Sequence, residues 1–396
     1  MAYHKAKVIY QNLINDISKS SNYKVENVLT SKQDTSIYIG SQKLLNLCSS
    51  NYLGLSSDPY SISSSIKFGQ SHGFGLSSGR IICGTQDIHK SLEQTLSIFH
   101  STDDSILYSS CYDANSGLFE ALLTKEDAII SDSLSHNSIK DGLRLSGAEK
   151  FTYSHLNTHN LEEILKKTQG NRLRLIATDS LFSLNGHFAP LPEIVRLGEK
   201  YNALIVIDES HATGVIGPTG RGVAEYFGLQ DQIDVVNSSL GKAFGGATGG
   251  YSTGRRELIE TLRQKSRPYI FSNSLAPIFV GACMDLVHHF EENRESLIFK
   301  VNKNAQLFRE KMKREGFKVL GHEKSHIVNV GIKGGEGVLV EFVERMRMKG
   351  VFVAGFLEDD GEGSRIRVQV TAKHSENDIW RAVDAFAEVG KDLGAI

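Results

Sequence analysis

Short runs of apolar residues alternate with amphipathic stretches through the middle of the chain. These runs show little of the apolar–polar alternation that marks a strand with one solvated face. They are typical of strands covered on both faces, as in a largely parallel sheet built from β-α-β units. The predicted strands are residues 105–108, 127–130, 173–177, 203–207 and 233–236. Because ligands of open α/β sheets collect outside the carboxyl ends of the strands, the residues that follow these runs are candidate site residues.

The pattern changes near residue 280, where a long helical stretch begins. It predicts a second, smaller α+β domain that ends in a helix running toward Leu393, opened by a capping-box pattern at 375–378. We therefore expect an N-terminal segment at 1–50, a large domain at 51–280 and a small domain at 281–396. The further elements predicted for the small domain are strands at 326–331, 351–353 and 365–370 and a helix at 336–348.

The composition is that of an ordinary globular protein, with 40% hydrophobic and 23% charged residues. The 44 basic and 46 acidic residues nearly cancel, so overall charge favours neither nucleic acid nor an anionic membrane as a partner. The four cysteines lack the paired spacing of a disulfide framework or a zinc cluster. The N-terminus lacks a signal-peptide core, and no apolar run is long enough for a membrane span. We expect a cytoplasmic protein, and less readily one of the mitochondrial matrix, because acidic residues precede the first arginine, Arg80.

Lys242 is the first candidate for chemistry, because it follows a predicted buried strand and lies among small residues. Small neighbours leave room for a planar ring, and the hydroxyl of Ser239, three residues earlier, could contact a phosphate. A lysine that holds a cofactor as a Schiff base fits this pattern, although a surface lysine is the commoner explanation of a single lysine.

Asp208 comes directly after the predicted strand at 203–207, and His211 lies three residues further on. A carboxylate in this position could keep a pyridine nitrogen protonated, and the histidine could contact a ring hydroxyl from the same turn. An aspartate that only caps the following turn is the alternative explanation.

The segment at 108–117 passes from a strand to a helix through small polar residues. The free N–H groups and the positive dipole end of such a helix attract an anion, so Cys111 and Tyr112 could bind phosphate through their backbone amides. Many strand-to-helix turns have this composition and bind nothing.

A zinc-protease pattern, His-Glu-x-x-His, occurs at 322–326. That site requires both histidines on one face of a helix, but Gly321 precedes the pattern and residues 327–330 resemble a strand. We therefore expect no metal site here. A regulatory protein that binds a ligand without turnover is also disfavoured, because no DNA-binding module is visible.

Together these segments closely resemble the α-oxoamine synthases, enzymes that depend on pyridoxal 5'-phosphate (PLP) and condense an amino acid with an acyl-CoA. The resemblance covers nearly the whole chain. It rests on Asn-Tyr-Leu-Gly at 51–54, Gly-Thr-Gln-Asp-Ile-His at 84–89 with Leu-Glu at 92–93, Asp-Ser-Leu-Ser-His at 132–136, Asp-Glu-Ser-His at 208–211, Ser-Leu-Gly-Lys at 239–242 and Phe-Ser-Asn-Ser at 271–274. The segments at 71–75, 82–86, 109–111 and 267–277 are most similar to the branch that uses glycine and acetyl-CoA.

The resemblance implies the fold-type-I PLP transferase fold, as in aspartate aminotransferase: a large domain with a mostly parallel seven-stranded sheet and a smaller C-terminal α+β domain. It also implies a role for each matching residue. Lys242 carries PLP and acts as the base, Asp208 contacts the pyridine nitrogen, and His136 stacks on the ring. The remaining implied contacts are His211 and Ser183 to the ring hydroxyl, Cys111, Tyr112 and Ser239 near the phosphate, Ser272 and Asn273 from the other subunit of a homodimer, and Asn51 and Arg367 to the substrate.

The activity implied is condensation of glycine with acetyl-CoA to 2-amino-3-oxobutyrate, in threonine and glycine metabolism, with possible coupling to threonine dehydrogenase. The alternative is a sister synthase that uses another amino acid or a longer acyl-CoA, such as 8-amino-7-oxononanoate synthase or serine palmitoyltransferase. One departure bears on the acyl donor: after Phe356 the family usually has an apolar, proline-containing segment, whereas residues 357–363 of this chain are mostly acidic.

Overall fold

A computed structural model of the protein describes residues 2–19, 23–357 and 363–396. The strands are β1 (Ser36–Ile39), β2 (Gln42–Asn46), β3 (Asp104–Tyr108), β4 (Ala128–Asp132), β5 (Glu149–Tyr153), β6 (Arg174–Asp179), β7 (Ala203–Asp208), β8 (Val235–Ser239), β9 (Gly250–Gly254), β10 (Val319–Leu320), β11 (Ile327–Gly331), β12 (Val351–Phe352), β13 (Ala354–Phe356) and β14 (Arg365–Gln369). The helices are α1 (Ala2–Ser18), α2 (Pro59–His72), α3 (Asp87–His100), α4 (Cys111–Leu122), α5 (Asn137–Leu145), α6 (Thr158–Lys167), α7 (Leu191–Tyr201), α8 (Val223–Tyr226), α9 (Arg256–Lys265), α10 (Arg267–Phe271), α11 (Pro277–Arg314), α12 (Glu336–Met348) and α13 (Glu376–Asp392).

Seven strands form the central sheet, in the order β3-β9-β8-β7-β6-β4-β5. Strand β9 is antiparallel to both of its neighbours, and the other pairs are parallel. The predicted α/β architecture with a mostly parallel seven-stranded sheet is confirmed. Because β4, β6, β7 and β8 run parallel, their last residues lie at one edge of the sheet. Those residues are Asp132, Asp179, Asp208 and Ser239.

Apolar cores cover both faces of this sheet, which explains why its strands do not alternate. Ile129 packs into one core and the next residue, Ile130, packs into the core on the opposite face. Leu175 and Ile176 are divided between the two cores in the same way. A strand buried on both sides has no solvated face on which polar residues would recur.

A third core lies in the C-terminal part of the chain, where β10-β11-β14-β13 form an antiparallel sheet. A small sheet of β1, β2 and β12 joins this core, because β2 pairs with β12 in parallel. Leu45 and Leu47, from the N-terminal part of the chain, pack in this core together with Val368 and Phe386. The N-terminal strands therefore bind to the C-terminal part of the molecule.

The strands predicted for both parts of the chain are found within three residues of their expected bounds, and the helix at 336–348 and the Ser375 capping box are found as predicted. Strands β1, β2, β5, β9, β10 and β13 were not predicted. The domain limits at 50 and 280 remain predictions, although α11 continues across residue 280. Within the described residues, no helix is long and apolar enough to cross a membrane.

Candidate active site

Seven of the residues selected from the sequence line one small cavity of about 180 Å³ at the carboxyl ends of the central strands. Four further residues, which the sequence analysis did not select, complete the cavity wall: Ser110, Ser138, Asp179 and Ser210. The selected residues are Cys111, Tyr112, His136, Asp208, His211, Ser239 and Lys242. The arrangement brings an amine, a carboxylate and two imidazoles to one place.

Asp208 is the last residue of β7, and its buried carboxylate is held from both oxygens. Asn115 Nδ2 donates to its Oδ2 at 2.6 Å, and the Ser210 backbone N–H donates to its Oδ1 at 2.8 Å. The Cys111 thiol lies 3.6 Å from Oδ2, and burial together with the Asp208 charge raises the pKa of that thiol well above its usual range. Cys111 is therefore a neutral thiol packed against the Asp208 carboxyl group.

Asp179 lies beside Asp208, because β6 and β7 pair these two residues directly. Burial and the neighbouring Asp208 charge raise the pKa of Asp179 well above its usual range, which favours the neutral form of this carboxyl. Its Oδ2 accepts a hydrogen bond of 2.8 Å from the backbone N–H of His136. Asp179 thus ties the loop that carries His136 to the strand ends.

His136 begins helix α5 as its N-cap residue, and its Nδ1 lies 2.7 Å from Ser138 Oγ. Its ring is exposed to the cavity. Partial burial and the positive charge of Lys242 lower its pKa, against the opposing effect of Asp208. A neutral ring at the cavity wall can stack on a planar aromatic ligand.

His211 lies on the turn after β7, where its Nδ1 is 2.7 Å from the hydroxyl of Tyr52. Burial lowers its pKa well below the usual range, and the nearby positive charges of Lys242 and Arg367 lower it further. The imidazole is therefore neutral at physiological pH.

The N-terminus of α4 opens into the same cavity. Ser110 caps this helix by accepting from the Asp113 N–H at 3.1 Å. The amides of Cys111 and Tyr112, the first two helical residues, have no carbonyl partner within the helix. The N-terminus of a helix attracts an anion through its N–H groups and the positive end of its dipole.

Gly250, the first residue of β9, allows this helix end to approach the sheet. A Cβ at this position would lie 2.2 Å from the Cys111 nitrogen, which is backbone and cannot rotate away. We expect Gly250→Ala to displace the α4 N-terminus and to lower the free energy of unfolding by about 1–3 kcal/mol or more.

Urea unfolding and PLP titration of Gly250→Ala measure this effect. Gly147→Ala is the matched control, since a Cβ there meets no atom closer than 3.7 Å. Wild-type stability and cofactor affinity in Gly250→Ala would show that the close approach is unimportant.

Lys242 follows β8 in a turn rich in small residues and is partly exposed to the cavity. The hydroxyl of Ser239 accepts from the Gly241 N–H at 3.0 Å, which orders the turn before the lysine. The small side chains predicted around the lysine therefore lie in a short turn at the end of a strand.

A second cavity of about 460 Å³ adjoins the first, because His136 lines both. Ser183 and Arg367 line only this larger cavity, where Arg367 Nη1 donates to the Ser183 carbonyl at 3.2 Å. The Arg367 guanidinium carbon lies 4.7 Å from the centroid of the Phe356 ring. Its Nε is buried without a hydrogen-bond partner among the described residues, as expected of a guanidinium that awaits an acceptor.

Three selected residues do not line either cavity within the described chain. Asn51 is buried, and its Oδ1 accepts from the Ser56 N–H at 3.2 Å. Ser272 and Asn273 are exposed, and the Asn273 carbonyl lies 3.4 Å from Ser109 Oγ. Their predicted contacts with the cofactor from a second subunit remain a prediction.

The His-Glu-x-x-His pattern does not form a helix in the structure, as expected. His322 stacks on Phe188 with ring centroids 3.9 Å apart, whereas His326 is buried against Tyr52 with centroids 4.2 Å apart. The two histidines therefore lie in different environments. Of the acidic stretch at 357–363, residues 358–362 lie outside the described residues.

The sequence did not identify the residues that orient the site, namely Asp179, Asn115, Ser138, Tyr52 and Gln369. Asp179 could have been found from the sequence, because it lies two positions after the predicted strand at 173–177 and ends β6. The others act through contacts between segments distant in the chain, for which a single sequence carries no signal.

The fold and this site define a class I and II aminotransferase-type protein. The chain belongs to the aminotransferase class I and II family, whose model matches residues 42–386, and within it to the α-oxoamine synthases.

Comparison with individual proteins shows which members of this family the chain is similar to. The chain is 47% identical to the mouse 2-amino-3-ketobutyrate coenzyme A ligase, mitochondrial, covering 100% of this chain and 95% of that protein. It is 44% identical to the 2-amino-3-ketobutyrate coenzyme A ligase of Escherichia coli K12, covering 98% of each. Among solved structures it is similar to a serine palmitoyltransferase from S. paucimobilis with a bound PLP–myriocin aldimine, with a TM-score of 0.91, 26% identity and coverage of 98% and 99%.

The residues of the small cavity fit PLP. The cofactor requires a lysine amine for its aldehyde, an anion site for its phosphate and a carboxylate for its ring nitrogen. Lys242, the N-terminus of α4 and Asp208 meet these requirements within one cavity.

Proposed function

We propose that this chain is a PLP-dependent acyltransferase that reversibly condenses glycine with acetyl-CoA to give 2-amino-3-oxobutyrate and CoA. One observation carries the proposal: Lys242, Asp208, His136 and His211 surround one cavity. The end-to-end identity of 44–47% to relatives named for this chemistry supports the choice of substrates. Release of the CoA thiol by the purified, PLP-loaded protein tests it.

When bound, PLP supplies an electron sink that stabilises negative charge on the carbon next to the substrate nitrogen. Asp208 maintains that capacity by holding a proton on the pyridine nitrogen, and its hydrogen bonds from Asn115 and Ser210 fix where the charge lies. At an effective dielectric constant near 20, an ion pair about 4 Å apart has a Coulomb energy of about 4 kcal/mol. An aromatic stack such as that proposed for His136 contributes about 0.5–1.5 kcal/mol. Asp208 is therefore the stronger determinant of rate.

Lys242 has two tasks in this proposal. Its amine forms the covalent bond that holds the cofactor, and after glycine replaces it there the freed amine accepts a proton from the glycine Cα. The small residues of its turn leave space for the side chain to move between these two positions. His211 and Ser183 are the proposed contacts to the ring hydroxyl.

The phosphate site is proposed at the N-terminus of α4, with the Cys111 and Tyr112 amides and the Ser239 hydroxyl. We propose that Ser272 and Asn273 of the partner subunit complete it in a homodimer. Large apolar side chains are exposed in this part of the molecule: Phe271, next to Ser272, is 73% exposed, and Ile82 is 82% exposed. Such exposure supports the proposal that a second subunit covers this surface.

Arg367 is the proposed partner of the glycine carboxylate. It lies on the wall of the larger cavity beside His136, and its buried Nε and the planar fork of its guanidinium suit a bidentate contact with a carboxylate. Asn51 is proposed to orient the substrate as well, on the resemblance alone.

We expect Arg367→Ala to raise the KM for glycine at least tenfold while changing the KM for acetyl-CoA little, because one charge-assisted pair is lost from the amino-acid subsite. Steady-state kinetics with each substrate varied in turn measure the two constants. Arg345→Ala is the control, since Arg345 pairs with Glu341 on the partly exposed side of α12. A selective rise in the KM for acetyl-CoA would move Arg367 to the CoA subsite.

A sister synthase with another amino acid or a longer acyl-CoA is the second candidate. It is favoured by the similarity in fold to serine palmitoyltransferase, and a substrate scan distinguishes it. Coupling to a threonine dehydrogenase, which would supply or take the unstable product, and a cytoplasmic location are also proposals. The mouse relative is named as mitochondrial and the Escherichia coli relative is not, so the relatives differ in this respect.

A further inference from the structure

A buried chain of hydrogen bonds connects strand β14 to the cofactor cavity. Gln369, the last residue of β14, lies two positions from Arg367 and is 1% exposed. Its side chain contacts the hydroxyl of Tyr52 at 2.8 Å, and that hydroxyl lies 2.7 Å from His211 Nδ1. Tyr52 is fully buried, so its hydroxyl cannot exchange these two partners for bulk water.

The direction of each hydrogen bond in this series follows from its first acceptor, the carbonyl oxygen of Cys48. Gln369 Nε2 lies 2.6 Å from the carbonyl oxygen of Cys48, which can only accept. The amide nitrogen must therefore face Cys48, and the amide oxygen must face Tyr52. Ser50 Oγ also donates to this oxygen at 2.8 Å, which uses its second lone pair.

Tyr52 has a single hydroxyl proton, and the Gln369 oxygen can only accept it. Because the tyrosine donates there, its oxygen is left as an acceptor toward His211. The nitrogen that faces Tyr52, Nδ1, must then carry the proton of the neutral imidazole. Burial and the nearby charges that lower the pKa of His211 keep the ring in this neutral form.

We propose that Gln369 and Tyr52 are positioning residues that hold His211 as the tautomer protonated on Nδ1, which leaves Nε2 as a hydrogen-bond acceptor. The role of that acceptor rests on the proposed function: Nε2 accepts a hydrogen bond from the hydroxyl of the PLP ring. The opposite tautomer would direct an N–H at that hydroxyl instead. The strand that carries Arg367 thereby also determines the hydrogen-bonding character of His211.

The tautomer can be measured in the full-length protein without cofactor. Nitrogen-15 NMR of protein labelled at histidine distinguishes a protonated from an unprotonated ring nitrogen, and His211→Asn identifies the His211 signals among the 14 histidines. We expect His211 to show a protonated Nδ1 and an unprotonated Nε2. A protonated Nε2 in the wild-type protein would overturn the inference.

Two variants test whether the hydrogen bonds from Gln369 through Tyr52 to His211 determine the tautomer. The Ser50 hydroxyl also forms a hydrogen bond with Tyr52 and could accept its proton, so Gln369→Met is combined with Ser50→Ala. In this double variant the tyrosine loses both acceptors and is expected to donate to Nδ1, which reverses the tautomer. In Tyr52→Phe the Nδ1 proton loses its acceptor, so the fraction of His211 protonated on Nδ1 is expected to fall. Gln169→Met, whose amide donates to a helical carbonyl instead, is the matched control and should leave the His211 signals unchanged. An unchanged tautomer in the folded double variant would overturn the inference, and the wild-type spectrum still decides it if that variant does not fold.

A kinetic measurement separates this inference from the proposed function. In the PLP-loaded protein we expect Tyr52→Phe to lower kcat about tenfold with little change in the KM for acetyl-CoA, as for the loss of one buried hydrogen bond. A protein that releases no CoA with any substrate pair would refute the proposed function, whereas the NMR result on the cofactor-free protein would stand. Normal CoA release with His211 protonated on Nε2 would refute only the inference.

Discussion

Lys242→Ala is expected to abolish CoA release and the yellow colour of the PLP-loaded protein. Alanine has no amine to form the covalent bond with the cofactor and none to accept the glycine proton. General-base catalysis alone typically contributes about 10²–10⁴-fold, and the loss of the nucleophile adds to that. Absorbance spectra and thiol release from the same preparation measure both effects.

Lys242→Arg keeps the positive charge but lacks a nucleophilic amine, so it should be as inactive as the alanine variant. Lys313→Ala, an exposed lysine of α11, should behave as the wild type. A yellow and fully active Lys242→Ala protein would contradict the assignment of the cofactor lysine.

Asp208→Asn should still bind PLP but should lose roughly a thousandfold in kcat. An amide cannot hold a proton on the pyridine nitrogen, and a Coulomb energy of about 4 kcal/mol corresponds to about three powers of ten in rate. Its other interactions can largely persist, because an amide oxygen can still accept from Asn115 or Ser210. PLP affinity and kcat measured together distinguish loss of binding from loss of rate.

Asp179→Asn is the matched comparison for Asp208, since the two residues are paired on adjacent strands. Burial and the Asp208 charge raise the pKa of Asp179 and so favour its neutral form, which a neutral amide resembles more closely than it resembles the carboxylate of Asp208. We expect a much smaller loss of kcat than in Asp208→Asn. Equal losses in the two variants would show that the fixed charge of Asp208 is not what accelerates the reaction.

The central sheet was predictable because burial on both faces produces unbroken apolar runs, as in β6 and β7. Strand β9 was not, since its residues are Gly250, Tyr251, Ser252, Thr253 and Gly254, and it is buried by packing against α4 rather than by an apolar pattern. The N-terminal strands were missed for a related reason. They are short, and β2 is completed by a partner, β12, some 300 residues later in the chain.

Residues of the candidate site could be predicted where a group suited to cofactor binding lies at the end of a strand, as for Asp208 and His211, or at the start of a helix, as for Cys111. The residues that orient those groups could not. Asn115 reaches Asp208 from one helical turn beyond Cys111, and Gln369 reaches Tyr52 across 317 positions of sequence. Such contacts depend on tertiary packing, so only the structure reveals that His211 is linked to the strand of Arg367.

The most direct test of the account is CoA thiol release by purified, PLP-loaded protein, with glycine, alanine and serine each combined with acetyl-CoA and with longer acyl-CoAs. The account predicts release with glycine and acetyl-CoA and little with the other pairs. Preference for another pair would contradict the proposed substrates and identify a sister synthase with the same fold. No release with any pair would contradict the catalytic role of the cavity around Lys242.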